Sequence, residues 1–328
     1  MISPVHFLMC NVLLSMFLGI VLLVRKISSR HLTIPVRYRL WHLFTAALFL
    51  PFLPWRQLSP QEFLFWIQDL LTQDTTASAV THTAENAVQS GSSGTVIRDF
   101  STAVTASGIP LSRILGIIWI VGMAAVALYF AATLLSIHKI KRNAFLVTAE
   151  SEPDLYRQFF SCVRELSLRQ KVKLYASCDI QNPVSCGWLC PAVIIPQDLD
   201  IVSSEEELRF IFLHELQHCR HKDALLNLLV CVLEILYWFN PLIWYGFRQL
   251  QKDREIACDH AVIDHVGISE RMNYGLTILR FARHAGQGVF ASPLSGISSS
   301  ASTTKQRIME ITEYRPATAL QRLKSAGI

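Results

Sequence analysis

Phe212-Leu-His-Glu-Leu-Gln-His-Cys-Arg-His-Lys-Asp223 carries the pattern H-E-x-x-H, and the rest of the chain is best understood outward from it. On a helix, His214 and His218 lie one turn apart, about 6 Å in rise and about 40° in azimuth, so both imidazoles can reach one zinc ion. Glu215 sits about 100° round from His214, placed to act on water at the metal without ligating it. Ser203-Ser204-Glu205-Glu206-Glu207 just upstream supplies an N-cap and an acidic first turn, a helix start. Leu208, Ile211, Phe212 and Leu216 then share the face expected to meet a core.

Two histidines leave a zinc short of protein ligands, and Glu255 is the best third candidate. It opens Glu255-Ile-Ala-Cys-Asp259, in which Glu255 and Asp259 are one turn apart on one face. Glu255 completes a His-His-Glu set with a fourth position for water, and Asp259 is placed to orient a ligand histidine through its other ring nitrogen.

Composition points to a membrane. The 328 residues are 51% hydrophobic and only 17% charged, too apolar for an ordinary soluble protein, and the modest net charge of +5 lies beside apolar runs rather than in a nucleic-acid-binding patch. Three stretches are predicted spans, at about 5–24, 38–55 and 115–137. The third, Leu115 to Ile137, has no charged residue. Arg25, Lys26, Arg30, Arg37 and Arg39 place the first loop in the cytoplasm, and His138-Lys-Ile-Lys-Arg142 places the remainder there. Residues 57–110 then form an external loop, partly rich in Ser, Thr, Ala and Gly. Seven of the eight cysteines fall in cytoplasmic or spanning segments, where thiols stay reduced. Ala224–Trp244 is long enough to span, but a crossing there would put Glu255 across the membrane from His214 and His218. It is expected instead to be a buried or membrane-skimming helix that turns back at Asn240-Pro241.

Upstream of the zinc helix, Lys171–Tyr175 and Ala192–Pro196 read as short strands around Gly187, a turn position. Val193, Ile194 and Ile195 could form the edge strand that takes substrate by strand addition, or serve a purely structural role.

These motifs together resemble the BlaR/MecR family of membrane metallopeptidases, the sensor-transducers of beta-lactam resistance. The resemblance covers the N-terminal spans, Asn182-Pro-Val-Ser-Cys-Gly-Trp-Leu-Cys-Pro-Ala-Val-Ile-Ile-Pro196 and Leu213–Asp223. It continues through Tyr237-Trp-Phe-Asn-Pro-Leu-Ile-Trp244, Glu255–Asp259 and Tyr274-Gly275. It implies an α-helical membrane region followed, over about 138–315, by a cytoplasmic α+β gluzincin-like zinc peptidase domain. His214, His218 and Glu255 would be its ligands and Glu215 its general base. It also implies a protein substrate, the chain itself or a partner, and release of a winged-helix repressor, with no direct contact to nucleic acid. Homodimerisation is left open. Residues 316–328 form a tail, and the chain stops at Ile328, where such sensors continue through a fourth span into a penicillin-binding domain. Either the sequence is a fragment of such a sensor, or it is one of the shorter members that take their signal elsewhere. Self-cleavage in the family falls in the general region of Ser292–Ser302, a small polar stretch that reads equally as a flexible linker. Tyr274 and His284, which follow the metal helices, are candidates for the oxyanion donor, and spacing does not choose between them. The rival classes are a membrane quality-control or prenyl-type zinc peptidase and a non-catalytic transducer with a structural zinc.

Overall fold

The computed structural model describes residues 4–27, 34–49, 51, 111–285 and 301–314. Three helices come first: α1 (Pro4–Ile27), α2 (Ile34–Ala47) and α3 (Leu111–Asn143). Then follow β1 (Phe145–Leu146), α4 (Pro153–Glu165), β2 (Lys173–Ser177), β3 (Val184–Cys186), β4 (Ala192–Pro196), the single turn α5 (Leu199–Val202) and α6 (Glu205–His221). The chain continues through α7 (Asp223–Leu236), α8 (Pro241–Val266), α9 (Arg271–Ala285) and α10 (Ala301–Thr312). Its contacts divide it into two units, the larger of them Asn11–Leu48 with Ile120–Ile328.

Only α3 among the described residues is long and apolar enough to cross a membrane, over Arg113–Asn143. Its Ile120, Val121, Leu128 and Leu135 are exposed, as a lipid-facing helix requires. The first predicted span corresponds to α1, whose described apolar part, Cys10–Arg25, is shorter. Of the second predicted span, 38–55, the described residues include the end of α2, which closes at Ala47. Most of the remainder of that stretch, the loop 57–110, the segment 292–300 and the tail 316–328 lie outside the described residues.

The helices α1 and α2 each bury one stripe. Leu14, Leu18 and Val21 face inward from α1, and Trp41, Phe44, Thr45 and Leu48 from the end of α2. Both stripes meet α8, with the rings of Phe44 and Phe247 6.1 Å apart.

The sheet runs β1-β2-β4-β3, with β2 and β4 parallel and the outer pairs antiparallel. β4 has the predicted bounds, and its run Ala192–Ile195 is wholly buried because helices and strands enclose it. This corrects the expected substrate strand. Val193, Ile194 and Ile195 pair with Leu174, Tyr175 and Ala176 on one side, and Val193 and Ile194 with Ser185 and Val184 on the other. Val193 and Ile194 are paired on both sides, so no substrate strand can add to them; the edge strands of the sheet are β1 and β3, and β3 is the one that packs against α6.

The core lies between sheet and helices, where Leu174, Val193 and Ile195 meet Phe159, Leu208, Phe212 and Leu216. The predicted start of α6 is present as a full capping box: Ser204 Oγ accepts from the amide of Glu207, and Glu207 accepts from the amide of Ser204. α6 ends at Lys222, whose φ of 57° lies in the left-handed region, and α7 starts at the next residue. α7 stops at Leu236 and α8 restarts at Pro241, so Ala224–Trp244 is not one continuous helix. Asn240 caps α8 by accepting from the amides of Leu242 and Ile243, and Pro241 fits the first turn because its missing N–H has no partner to lose.

Candidate metal centre

Three donors converge between α6 and α8. Nε2 of His214 lies 3.3 Å from Nε2 of His218, and the Glu255 carboxylate stands 3.6 Å from the first and 3.8 Å from the second. Tetrahedral zinc with ligand bonds of about 2.1 Å spaces its ligand atoms about 3.4 Å apart, so the set fits such an ion. These side chains are 8%, 11% and 21% exposed, open on one side only.

Each histidine is held by its other nitrogen. His218 Nδ1 is 2.6 Å from Asp223 Oδ2, and a carboxylate there requires the proton on Nδ1 and the lone pair on Nε2. His214 Nδ1 is 2.9 Å from the hydroxyl of Tyr274, which itself donates to Asp259 Oδ1 at 2.6 Å. A hydroxyl donating to Asp259 accepts from His214, which again leaves Nε2 free for a metal. Burial, with Asp259 beside it, raises the Tyr274 phenol well above its ordinary value, so the hydroxyl keeps its proton.

Two further groups shape the field. Arg307, from α10, donates to both oxygens of Asp259 at 2.7 and 2.8 Å. Its Nη1 lies 3.4 Å from Glu255 Oε2 and its Nη2 3.5 Å from His214 Nε2. Cys258 Sγ stands 3.3 Å from His218 Nδ1, and burial pushes its thiol up to about 11. Burial works against charging Glu255, but His218, His214 and Arg307 together hold its carboxyl well below the usual range. Burial likewise opposes charge on His218, yet the Cys258 sulfur, Glu255 and Asp223 hold that imidazole well above its ordinary value.

Of the residues expected from sequence, His214, His218 and Glu255 come together, and Asp259 Oδ1 lies 3.5 Å from His214 Nδ1, with the Tyr274 hydroxyl within hydrogen-bonding distance of both. Glu215 is half-buried on the same helix. Its charge reaches the thiols of Cys186 and Cys219, both raised first by burial, which puts its carboxylate on the β3 side of α6. The oxyanion role for Tyr274 is corrected. Its hydroxyl is fully buried, against the His214 nitrogen that faces away from Glu255, with its proton committed to Asp259. The side chain of His284 lies outside the described residues.

Asp223, Cys258 and Arg307 escaped the sequence reading. Asp223 ends the quoted motif itself, but only the left-handed turn at Lys222 swings it back under His218. Arg307 lies in a short polar segment with no signal of where it docks.

Beside His218 a cleft opens, lined by Ser185, Cys186, Gly187, Trp188, Cys219 and Lys222. Gly187 is required there: its φ is 82°, and a Cβ would meet the carbonyl oxygen of Cys190 at 2.5 Å.

A His-Glu-x-x-His helix facing a glutamate on a second helix, with both histidines anchored from behind, is the donor arrangement of a metallopeptidase. The family described as BlaR1 peptidase M56 matches residues 5–311, and the chain belongs to that BlaR/MecR family. It is 32% identical over 323 residues to the regulatory protein BlaR1 of Bacillus licheniformis, covering 98% of this chain and 53% of that protein. Identity to the methicillin resistance mecR1 protein of Staphylococcus aureus is 24% over 316 residues, covering 94% of this chain and 51% of that protein. The chain thus spans about half the length of these relatives.

Proposed function

We propose that the chain is a membrane-held zinc endopeptidase that works as a signal transducer, cleaving itself or a protein partner to relieve repression by a winged-helix repressor. The observation that carries the hydrolytic part is the convergence of two Nε2 atoms and the Glu255 carboxylate, with both Nδ1 atoms tied back. His214, His218 and Glu255 would hold the zinc ion, which would supply Lewis acidity toward a peptide carbonyl and toward water. Glu215, half-buried on α6, would take a proton from the attacking water and pass it to the departing amine.

A substrate strand would add to the outer edge of β3, Val184–Cys186, which runs beside Glu215 and the cleft at His218. Arg307 is the better candidate for the group facing the carbonyl oxygen. Its guanidinium is locked by Asp259, so a donor stands ready beside the ligand set without reorganisation.

Topology supports a cytoplasmic site. Arg25, one of the basic residues that place the end of α1 inside, is ion-paired at 2.8 Å with Asp253, two residues from Glu255. The metal centre therefore belongs to the basic end of α1. The regulatory part is supported by the likeness to the regulatory protein BlaR1 and the methicillin resistance mecR1 protein.

The test is expression in membranes together with a candidate repressor, measuring bound zinc and the cleavage of either protein. Glu215→Ala should retain zinc and lose at least about a hundredfold in cleavage rate. Unchanged cleavage in the variant would sink the catalytic role. Zinc retained with no cleavage in either form would favour a non-catalytic transducer.

A further inference from the structure

Asp253 is a carboxylate with no exposed surface on a helix that packs against apolar neighbours, and the reaction makes no direct use of it. A charge in such a place demands strong partners, and it has them. Arg25 of α1 donates from Nε to Oδ2 and from Nη2 to Oδ1, both at 2.8 Å, a bidentate pair. Trp41 of α2 donates from Nε1 to Oδ2, also at 2.8 Å. The remaining fork of Arg25 reaches Gln249, one turn earlier on α8, at 3.1 Å.

The same two helices touch along their length. Asn240, the cap of α8, donates to Asn11 at 3.0 Å and Ser15 at 2.9 Å. At Gly246 the Leu18 side chain packs so closely that a Cβ would stand 3.0 Å from its Cδ2. Contacts 11 to 240, 18 to 246 and 25 to 253 advance together, so α1 lies parallel to α8 for about four turns.

The position of Asp253 on α8 gives this contact its consequence. Two residues along a helix are about 200° in azimuth and about 3 Å in rise. Asp253 therefore faces α1 and α2 while Glu255 faces the histidines of α6. A helix translates and rotates as one body, so whatever fixes Asp253 fixes Glu255.

We propose that the buried cluster Arg25–Asp253–Trp41 is a positioning device, through which the two N-terminal helices set the register of α8 and so the placement of Glu255 against His214 and His218. It rests on the reading of these three as a metal site. A buried ion pair is a poor source of stability, because its desolvation offsets most of its attraction, but it tolerates only one alignment. Apolar contacts such as Leu18 on Gly246 accept a small slide, whereas a bidentate guanidinium on a carboxylate does not. Movement of α1 or α2 would thus reach the metal centre through one joint.

The experiment uses the full chain in nanodiscs and measures zinc affinity by chelator competition alongside thermal stability. Arg25→Met strands a buried carboxylate and should weaken zinc binding by about tenfold. Trp41→Phe keeps the ring contacts, loses one donor, and should weaken it by about threefold. Because Arg25→Met can also impair folding, the deciding variant is Arg25→Met with Asp253→Leu. It replaces the pair by apolar groups and should match wild-type stability while zinc still binds about tenfold more weakly. Wild-type zinc affinity in that double variant, with Glu255→Ala still abolishing binding, would overturn the positioning role and leave the metal site standing. Failure of Glu255→Ala to weaken zinc binding would overturn both.

Discussion

The hydroxyl of Tyr274 sits 2.9 Å from Nδ1 of His214 and 2.6 Å from Asp259, so one phenol links a metal-ligand candidate on α6 to a carboxylate on α8. Removing it as Tyr274→Phe should leave a buried carboxylate and a buried imidazole each short of a partner, costing about 1–3 kcal/mol of stability. Zinc affinity should fall between about tenfold and a hundredfold, the usual effect of losing an orienting contact. Chelator competition measures this directly; an undiminished affinity would show that Asp259 orients His214 unaided.

Asp223 should matter as much as the ligands' own partners usually do. Asp223→Ala frees His218 Nδ1 and strips Arg254 of a nearby carboxylate at 3.8 Å. We expect a zinc affinity lowered by at least about tenfold. The control Asp198→Ala, at an exposed carboxylate remote from the motif, should change nothing.

Acidity should compete with the metal. In the metal-free chain, His218 is raised and Glu255 lowered, so each favours its charged form around neutral pH. The raised histidine contributes stability that is present below its unfolded pKa and lost as pH rises through the folded one. The lowered carboxylate contributes stability present above its unfolded pKa and lost as pH falls through the folded one. Zinc must displace the His218 proton, so affinity should rise by about tenfold per pH unit across the neutral range, with about one proton released. Calorimetry in buffers of different ionisation enthalpy counts that proton; none released would contradict the charged assignment.

The cysteines should separate into two reactivity classes. Burial pushes Cys162 up to about 11 and Cys219 up to about 12, while Cys178 and Cys190 are exposed. Alkylation of the native chain near neutral pH should label Cys178 and Cys190, and reach Cys162 and Cys219 only after unfolding. Mass mapping of labelled peptides reads the outcome.

The capping box offers a stability test away from the chemistry. Ser204→Ala removes the acceptor for the Glu207 amide and should cost about 1 kcal/mol, read as a lowered melting temperature with zinc affinity retained.

Much of this architecture is written in local pattern. The spacing of His214 and His218, the cap at Ser204, the bounds of β4, the restart at Pro241 and the shared face of Glu255 and Asp259 all follow from helix and strand periodicity. Each depends only on neighbours in the chain, so the residues alone determine it. Which strand lies at the sheet edge is a different kind of fact. Val193–Ile195 and Val184–Cys186 are both short apolar-containing runs, and only pairing decides that the first is enclosed and the second open. Tyr274 likewise has the chemistry of an oxyanion donor in sequence, yet packing turns its hydroxyl behind His214 and commits its proton to Asp259. Arg307 and Asp253 draw their meaning wholly from partners far along the chain, on α8 and α1. The sequence by itself determined that a His-His-Glu metal site could form. The tertiary structure decided what holds that site in place, because a buried charge takes its role from whatever the fold brings within hydrogen-bonding distance of it.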